Sequence, residues 1–274
     1  MSAPHPAAPI PPDAAPPRPT RRGGLEAILL PALSGALLIA LWHAAVVLTS
    51  TDVFPSPLAV LRGLSELVRK GVLGRYVFDS LFRVGAGYSL ALAFGIPLGI
   101  ALGWYSWAAR AINPVIQLLR PISALAWIPV AIVLFGVTNL ATIFLIFLAS
   151  FFPIVVATMN GVRNIPLMYL SAGRNFGLST PALFSRVIFP AALPRVLTGL
   201  RVALGVAWLV VVAAEMIAVD SGLGYLVIDS RNAGKRYDLV VAAMLLIGLI
   251  GLALNTLVRL VEKLRAVRWG FLPR

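Results

Sequence analysis

Cysteine is absent from this chain, which excludes disulfides, thiolate nucleophiles and Cys-ligated metal. Acids are scarce as well: ten Asp and Glu stand against twenty-three Lys and Arg, and histidine occurs twice. No Gly-x-x-x-x-Gly-Lys phosphate loop and no His-Glu-x-x-His helix occurs, so the chain is not expected to hydrolyse ATP or hold a catalytic metal. No pair of carboxylates is set for burial. A hydrolase working within a membrane needs a nucleophile beside a base. The nearest candidates, Ser123 and Ser150, sit in apolar sequence where a hydroxyl can bond back to its own helix. His5 falls in a proline-rich stretch, and His43, beside Trp42, reads as a packed or interfacial residue without a relay partner. Neither catalytic residues nor a metal is expected.

What the chain has in quantity is apolar surface. The hydrophobic fraction is 59%, the charged fraction 12% and the mean hydropathy +0.92, values that belong to polytopic membrane proteins. A span needs about 20 mostly apolar residues. Six stretches qualify: 27–49, 82–104, 121–137, 139–159, 196–218 and 239–258. The third is short and interrupted by Pro129, and the fourth contains Pro153, tolerable where neighbouring helices cover the freed backbone groups. The fold class is therefore all-α, with six transmembrane helices. Residues 1–24 form a Pro/Ala-rich tail with eight prolines in the first twenty positions, too poor in apolar side chains to fold. It is not a secretory signal, because the apolar run after Arg22 is too long. Residues 25–274 read as one transmembrane domain.

With six spans, both termini and the loops 104–120 and 160–201 share a side. That side carries fifteen Lys and Arg against three acids, and the other eight against six. The positive-inside rule then puts both termini in the cytoplasm. This distribution argues against nucleic acid as a partner. The basic end, VRLVEKLRAVRWGFLPR, reads as a contact for anionic lipid heads.

Within the second span Gly87, Ala91, Gly95, Gly99 and Gly103 recur every four residues and form a smooth ridge for close helix approach. The ridge reads as a joint between helices that move together, or as simple structural packing; both readings are open. Pro97 is expected to bend it. After FPSP (54–57), Leu58, Leu61, Leu64 and Leu67/Val68 share a face, predicting an amphipathic helix on the outer leaflet. Glu215 is the one acid inside an apolar run, close to Asp220 and hence near the outer interface. It reads as a pathway-lining or gating group, or as a structural or water-exposed carboxylate.

The longest polar connection, residues 159–201, carries no acid and is punctuated by proline. Pro166 suits a helix start, Gly177 a stop, and Ser179-Thr180-Pro181 a restart, with a second short helix ending at Pro190. Small residues at Ala172 and Gly173 are expected to let another surface approach the first helix. The segment reads as two short helices with a glycine hinge, outside the membrane, shaped to dock a partner.

This segment resembles the cytoplasmic coupling loop of ABC-importer permeases, whose pattern is Glu-Ala-Ala, three residues, Gly, nine residues, then Ile-x-Leu-Pro. Here Ser171-Ala172-Gly173, Gly177 and Val187-Ile188-Phe189-Pro190 keep that spacing, and Ala172, Gly177 and Pro190 match outright. Ser171 replaces the acid, which removes any ionic contact made there but leaves the shape. Similarity to the nitrate, taurine and aliphatic-sulfonate branch extends over about residues 30–270, through LFRVGAGYSLALAFGIPLGIALG (81–103), RPISALAWIPVAIVLFGV (120–137), TGLRVALGVAWLVVVAAEM (198–216) and SGLGYLVIDSRNAGKRYD (221–238).

The resemblance implies a type I importer permease in a bacterial inner membrane, with its coupling loop at about 160–195. It implies a homodimer, an extracytoplasmic solute-binding protein and a cytoplasmic subunit that binds ATP. It further implies coupling to that ATPase through Ser171, Ala172, Gly173, Arg174, Phe176, Gly177 and Pro190. Small oxyanions such as nitrate, sulfonates, taurine or bicarbonate are the cargo it favours; a thiamine-precursor-like or other organic cargo stays open. The alternative class is an ion-coupled secondary transporter or a channel. Against it, the central thirds of the spans carry no acid and no internal repeat is evident.

Overall fold

The computed structural model describes residues 26–49, 54–232 and 234–262. The proline-rich tail with His5, and the basic end 263–274, lie outside the described residues. Eleven α-helices account for nearly all of what is described, in two units that divide after Thr51. The first unit holds α1 (Glu26–Thr49), an apolar helix long enough to cross a membrane and bearing His43.

The second unit begins with α2 (Pro57–Arg69), started by the Ser56 hydroxyl accepting from the Ala59 N–H at 3.2 Å and by Pro57 in the first turn. The amphipathic helix expected there is present, with one face covered by protein and most of its leucine face left open. Val60, Gly63 and Leu67 are covered, whereas Leu58, Leu61 and Val68 are exposed. The reason is a neighbour: Leu67 packs with Leu226, Val227, Leu239 and Ala243, and a Cβ on Gly63 would lie 3.1 Å from Leu239.

Three long helices form the centre: α3 (Val72–Trp104), α6 (Asn139–Arg163) and α9 (Phe189–Ala218). At 1.5 Å per residue α3 runs roughly 50 Å, well beyond a hydrocarbon core of about 30 Å. Its first turns are thus free to carry Arg75 and Asp79 ahead of the apolar run. It continues unbroken through Pro97.

Gly87, Gly95, Gly99 and Gly103 press in order against Ile146, Ile154, Thr158 and Val162, so α3 and α6 run parallel. A Cβ on Gly99 would stand 2.6 Å from that of Thr158, and Ala91 between these glycines is wholly buried. With lipid as apolar as leucine, such backbone approach and dispersion hold the pair together. On its other side α6 meets α9 running back, with Gly161 against Ala192 and Val196, and Gly199 against Ala157. The Ser150 hydroxyl, expected to bond back to its helix, is buried without a partner.

Because α3 and α6 are parallel, the chain between them must return to the end where α3 began. It does so through α4 (Ser106–Leu119), a single 3₁₀ turn at Ala124–Trp127 and α5 (Ile128–Phe135), two helical arms set at 83°. This corrects two expectations. Residues 104–120 are not a loop: Ala108, Ala109 and Ile116 bury a face, where Ala108 and Ile116 join Leu102, Val155 and Met159. The third span, expected as a short, proline-interrupted run over 121–137, is instead a bent pair that begins at Ser106 and breaks before Ala124 rather than at Pro129. Gly136, at φ +71°, ends α5. Five described helices are long and apolar enough to span a membrane, six when the bent pair counts as one.

After α6 come α7 (Leu167–Asn175), α8 (Thr180–Leu183) and a π turn (Phe184–Ile188) that feeds directly into α9. The second short helix does not end at Pro190. Proline lacks a donor, and the preceding π turn, closed by the Phe189 N–H on the Phe184 carbonyl, lets helix continue with Pro190 in the first turn of α9. The chain closes with α10 (Leu223–Asn232) and α11 (Tyr237–Glu262), the latter tied to α9 by the Trp208 indole donating to the Ile247 carbonyl at 3.0 Å.

Candidate functional site

The segment from Pro166 to Pro190 folds as a preformed knob. Pro166 caps α7, and the helix stops in a paired arrangement: the Leu178 N–H reaches the Gly173 carbonyl (3.1 Å) and the Gly177 N–H the Arg174 carbonyl (2.9 Å). That geometry needs a left-handed residue, and Gly177 supplies it at φ +71° with open space around its Cα. Gly173 is buried, and a Cβ there would come 2.5 Å from Leu183, so its small size lets α7 close on α8 while it also lines the floor of the groove beside Ala172. Beneath it Val162, Ile165, Leu183, Ile188, Ala192 and Val196 form one core that anchors the knob to α6 and α9.

What remains open on the knob is Ser171, Ala172 and Arg174, with Phe176 exposed at 85%. A groove of about 420 Å³ runs between Ala172 and Phe176 on one side and Arg186, Val187 and Pro190 on the other. A fully presented aromatic ring thus stands beside a shallow, largely apolar groove.

At the opposite end of the bundle, where α3 and α6 start and α9 finishes, lies a buried ionic centre. Arg83 donates to Glu215 Oε1 (2.7 Å), to the Ser221 carbonyl (2.7 Å) and hydroxyl (2.5 Å), and to Asn139 Oδ1 (2.8 Å). The other carboxylate oxygen of Glu215 accepts from the Ser80 hydroxyl (2.8 Å) and the Gly224 N–H (3.0 Å). Four elements and the α9–α10 turn meet there, with every polar group partnered, as buried charge requires. Gly222, at φ +104°, and Gly224 are needed because a Cβ on either would collide with this centre or with the Val212 carbonyl. In the sequence Glu215 stands as the one acid inside an apolar run, with Arg83 and Arg201 as the basic residues inside such runs.

On the outside of that end, Arg236 binds Glu66 (2.6 Å) and Asp238 (2.8 Å), and Lys70 also reaches Glu66 (2.6 Å). The hydrogen bond from Arg236, then that from Lys70, hold the Glu66 carboxyl down at about 2. Arg236 is thereby committed to fastening α2 to α11.

Comparison with known proteins bears on both ends. Residues 95–267 match the family model described as binding-protein-dependent transport system inner membrane component. A nitrate import permease of Synechocystis is 34% identical over 249 residues, covering 86% of this chain and 89% of that one. A Bacillus subtilis protein named for aliphatic sulfonates transport is 32% identical over 251 residues, covering 91% and 89%. Among solved structures, an inward-facing methionine ABC transporter superposes with a TM-score of 0.56 at 21% identity, over 69% of this chain and 96% of that one. At that identity the likeness is one of fold.

Proposed function

The chain belongs to the family of binding-protein-dependent transport system inner membrane components, and on that premise we propose that it forms the translocation pathway of an ATP-driven importer of a small oxyanion. ATP is held by a separate cytoplasmic subunit, and the knob from Pro166 to Pro190 receives that subunit's movement. A second copy of the chain completes the pathway, and a solute-binding protein delivers cargo at the end bearing α2 and α10.

The observation that carries this reading is the knob itself. Its core is internally satisfied, its stop is locked by Gly177, and its outward face offers Ala172, Phe176 and the groove beside Pro190. A rigid, anchored element transmits displacement, whereas a loose loop absorbs it. The names of the nitrate and sulfonate relatives support an oxyanion as cargo.

The test is reconstitution with the cognate ATPase and binding protein. Phe176→Ala and Ala172→Glu are expected to weaken ATPase association by about tenfold or more, the range of an exposed aromatic anchor, and to abolish cargo-stimulated turnover. Both changes lie on the open face, so membrane insertion and thermal stability should hold. Wild-type stimulated turnover in both variants, or uptake in vesicles without any ATPase, overturns the proposal.

A further inference from the structure

The bend between α4 and α5 opens two cavities. One, of about 270 Å³, is bounded by Arg120, Ser123, Trp127, Ala149 and Val206. The other, of about 600 Å³, is bounded by Asn113, Gln117, Arg120, Asn160 and Arg163. They share Arg120 and Pro121, and one face of α6 walls both: Ala149, Phe152, Val156, Asn160 and Arg163 recur at intervals of three and four. At 1.5 Å per residue that wall is roughly 21 Å long. It runs from an apolar end beside α9 to a cationic end beside the start of the knob.

Charge along this wall has one sign. No carboxylate lines either cavity. Neither Arg120 nor Arg163 has an ion pair among the described residues, whereas Arg83 and Arg236 are each bound to carboxylates. Two unneutralised guanidiniums with three amide side chains between and beside them form a donor-rich lining. Planar guanidinium forks bind oxyanions in pairs of parallel hydrogen bonds. The apolar end, closed by Trp127 and Val206, has no such donors.

Resting on the importer reading above, we propose that these joined cavities are a station for a small oxyanion on the transport path, with Arg120 at their junction and Arg163 at the knob end as its recognition groups. The station takes nitrate-like or sulfonate-like groups and rejects cations. The phosphate of an anionic lipid has the same chemistry, so the experiment must separate the two sources.

The chain's freedom from cysteine makes a direct probe possible. Ser123→Cys places one thiol in the smaller cavity, which Arg120 also lines, of the full-length protein in phosphatidylcholine vesicles. Its modification rate is measured with an anionic ethylsulfonate thiosulfonate reagent and with the cationic trimethylammonium counterpart. The anion-to-cation rate ratio should fall about fivefold or more when Arg120→Gln is added, as loss of a nearby unit charge implies, and recover with Arg120→Lys. Arg110→Gln, on α4 but lining neither cavity, should leave it unchanged. Nitrate or ethanesulfonate should slow the anionic reagent, more than chloride at equal ionic strength.

A ratio unmoved by Arg120→Gln, or lowered equally by Arg110→Gln, overturns the station. So does protection that appears only with phosphatidylglycerol and is not displaced by nitrate, which assigns the site to lipid. The labelling needs no ATPase, so a failure of ATP-driven uptake overturns the importer reading separately. In a transporting complex, Arg120→Gln should raise the KM for the anion more than it lowers kcat.

Discussion

Arg83 is 2% exposed and Glu215 not at all, so each charge depends on the other for its burial. Removing one partner of such a pair strands the other in apolar surroundings, at a cost of about 3–5 kcal/mol. Glu215→Gln is therefore expected to lower the thermal unfolding temperature in detergent sharply, while a double replacement by Met at Arg83 and Leu at Glu215 loses less than the single change. A double variant as unstable as the single one would count against mutual dependence. Both residues were visible in the sequence as charges within apolar runs, where Arg201 is the other basic one. Their pairing was not, because 132 positions separate them and only the packing of α3 beside α9 closes that gap. Gly173 teaches the same at short range. Its size was legible, but whether the space it leaves faces a partner or the chain's own Leu183 depends on how α8 folds back.

Among elements, the seam between α3 and α6 is the one whose composition could be read directly. A recurrence of small residues every four positions makes a groove on any helix, whatever it meets. Gly99→Val should push a branched side chain into Thr158 and Val155, costing about 1–3 kcal/mol as overpacking does, and lower the yield of folded protein. Gly85→Val, on the same helix with nothing within 4 Å, is the matched control and should be near neutral. Equal effects from both would point to helix propensity rather than the seam. The stop of α7 was legible for a related reason: a left-handed glycine and its two hydrogen bonds are settled within six residues. The fate of Pro190 was not. Proline ends a regular helix but is accepted in a first turn, and the π turn before it creates that first turn. That α2 has a second, protein-covered face was not legible locally, because Gly63 and Leu67 are covered by residues of α10 and α11, neither adjacent in sequence.

For the molecule as a whole, the parallel run of α3 and α6 obliges the bent pair to carry the chain back, which makes an even number of crossings when α1 spans. On the proposed reading, the excess of basic residues on one side is expected to set the knob and both termini in the cytoplasm. Single cysteines introduced at Phe176 and at Arg62 should react with a membrane-impermeant reagent from opposite faces of sealed vesicles, with tags at both ends reporting the same face as position 176. Labelling of positions 62 and 176 from one face, or tags on opposite faces, contradicts this arrangement. In that proposed orientation the Arg83–Glu215 centre lies at the outer end and the Arg120–Arg163 wall towards the inner one.

Apolar runs, a surplus of basic residues and the glycine stop of α7 are properties of neighbouring positions along the chain. From them alone the class of the protein, its candidate spans and the glycine-stopped helix before α8 follow, since each depends on local length, composition or backbone sign. Which charges neutralise one another, which glycines face inward, and that residues 106–135 form a bent, cavity-bearing return rather than a loop and a straight span were decided in three dimensions. Those outcomes depend on contacts between helices distant in sequence, and close packing between them selects one face of each helix over another.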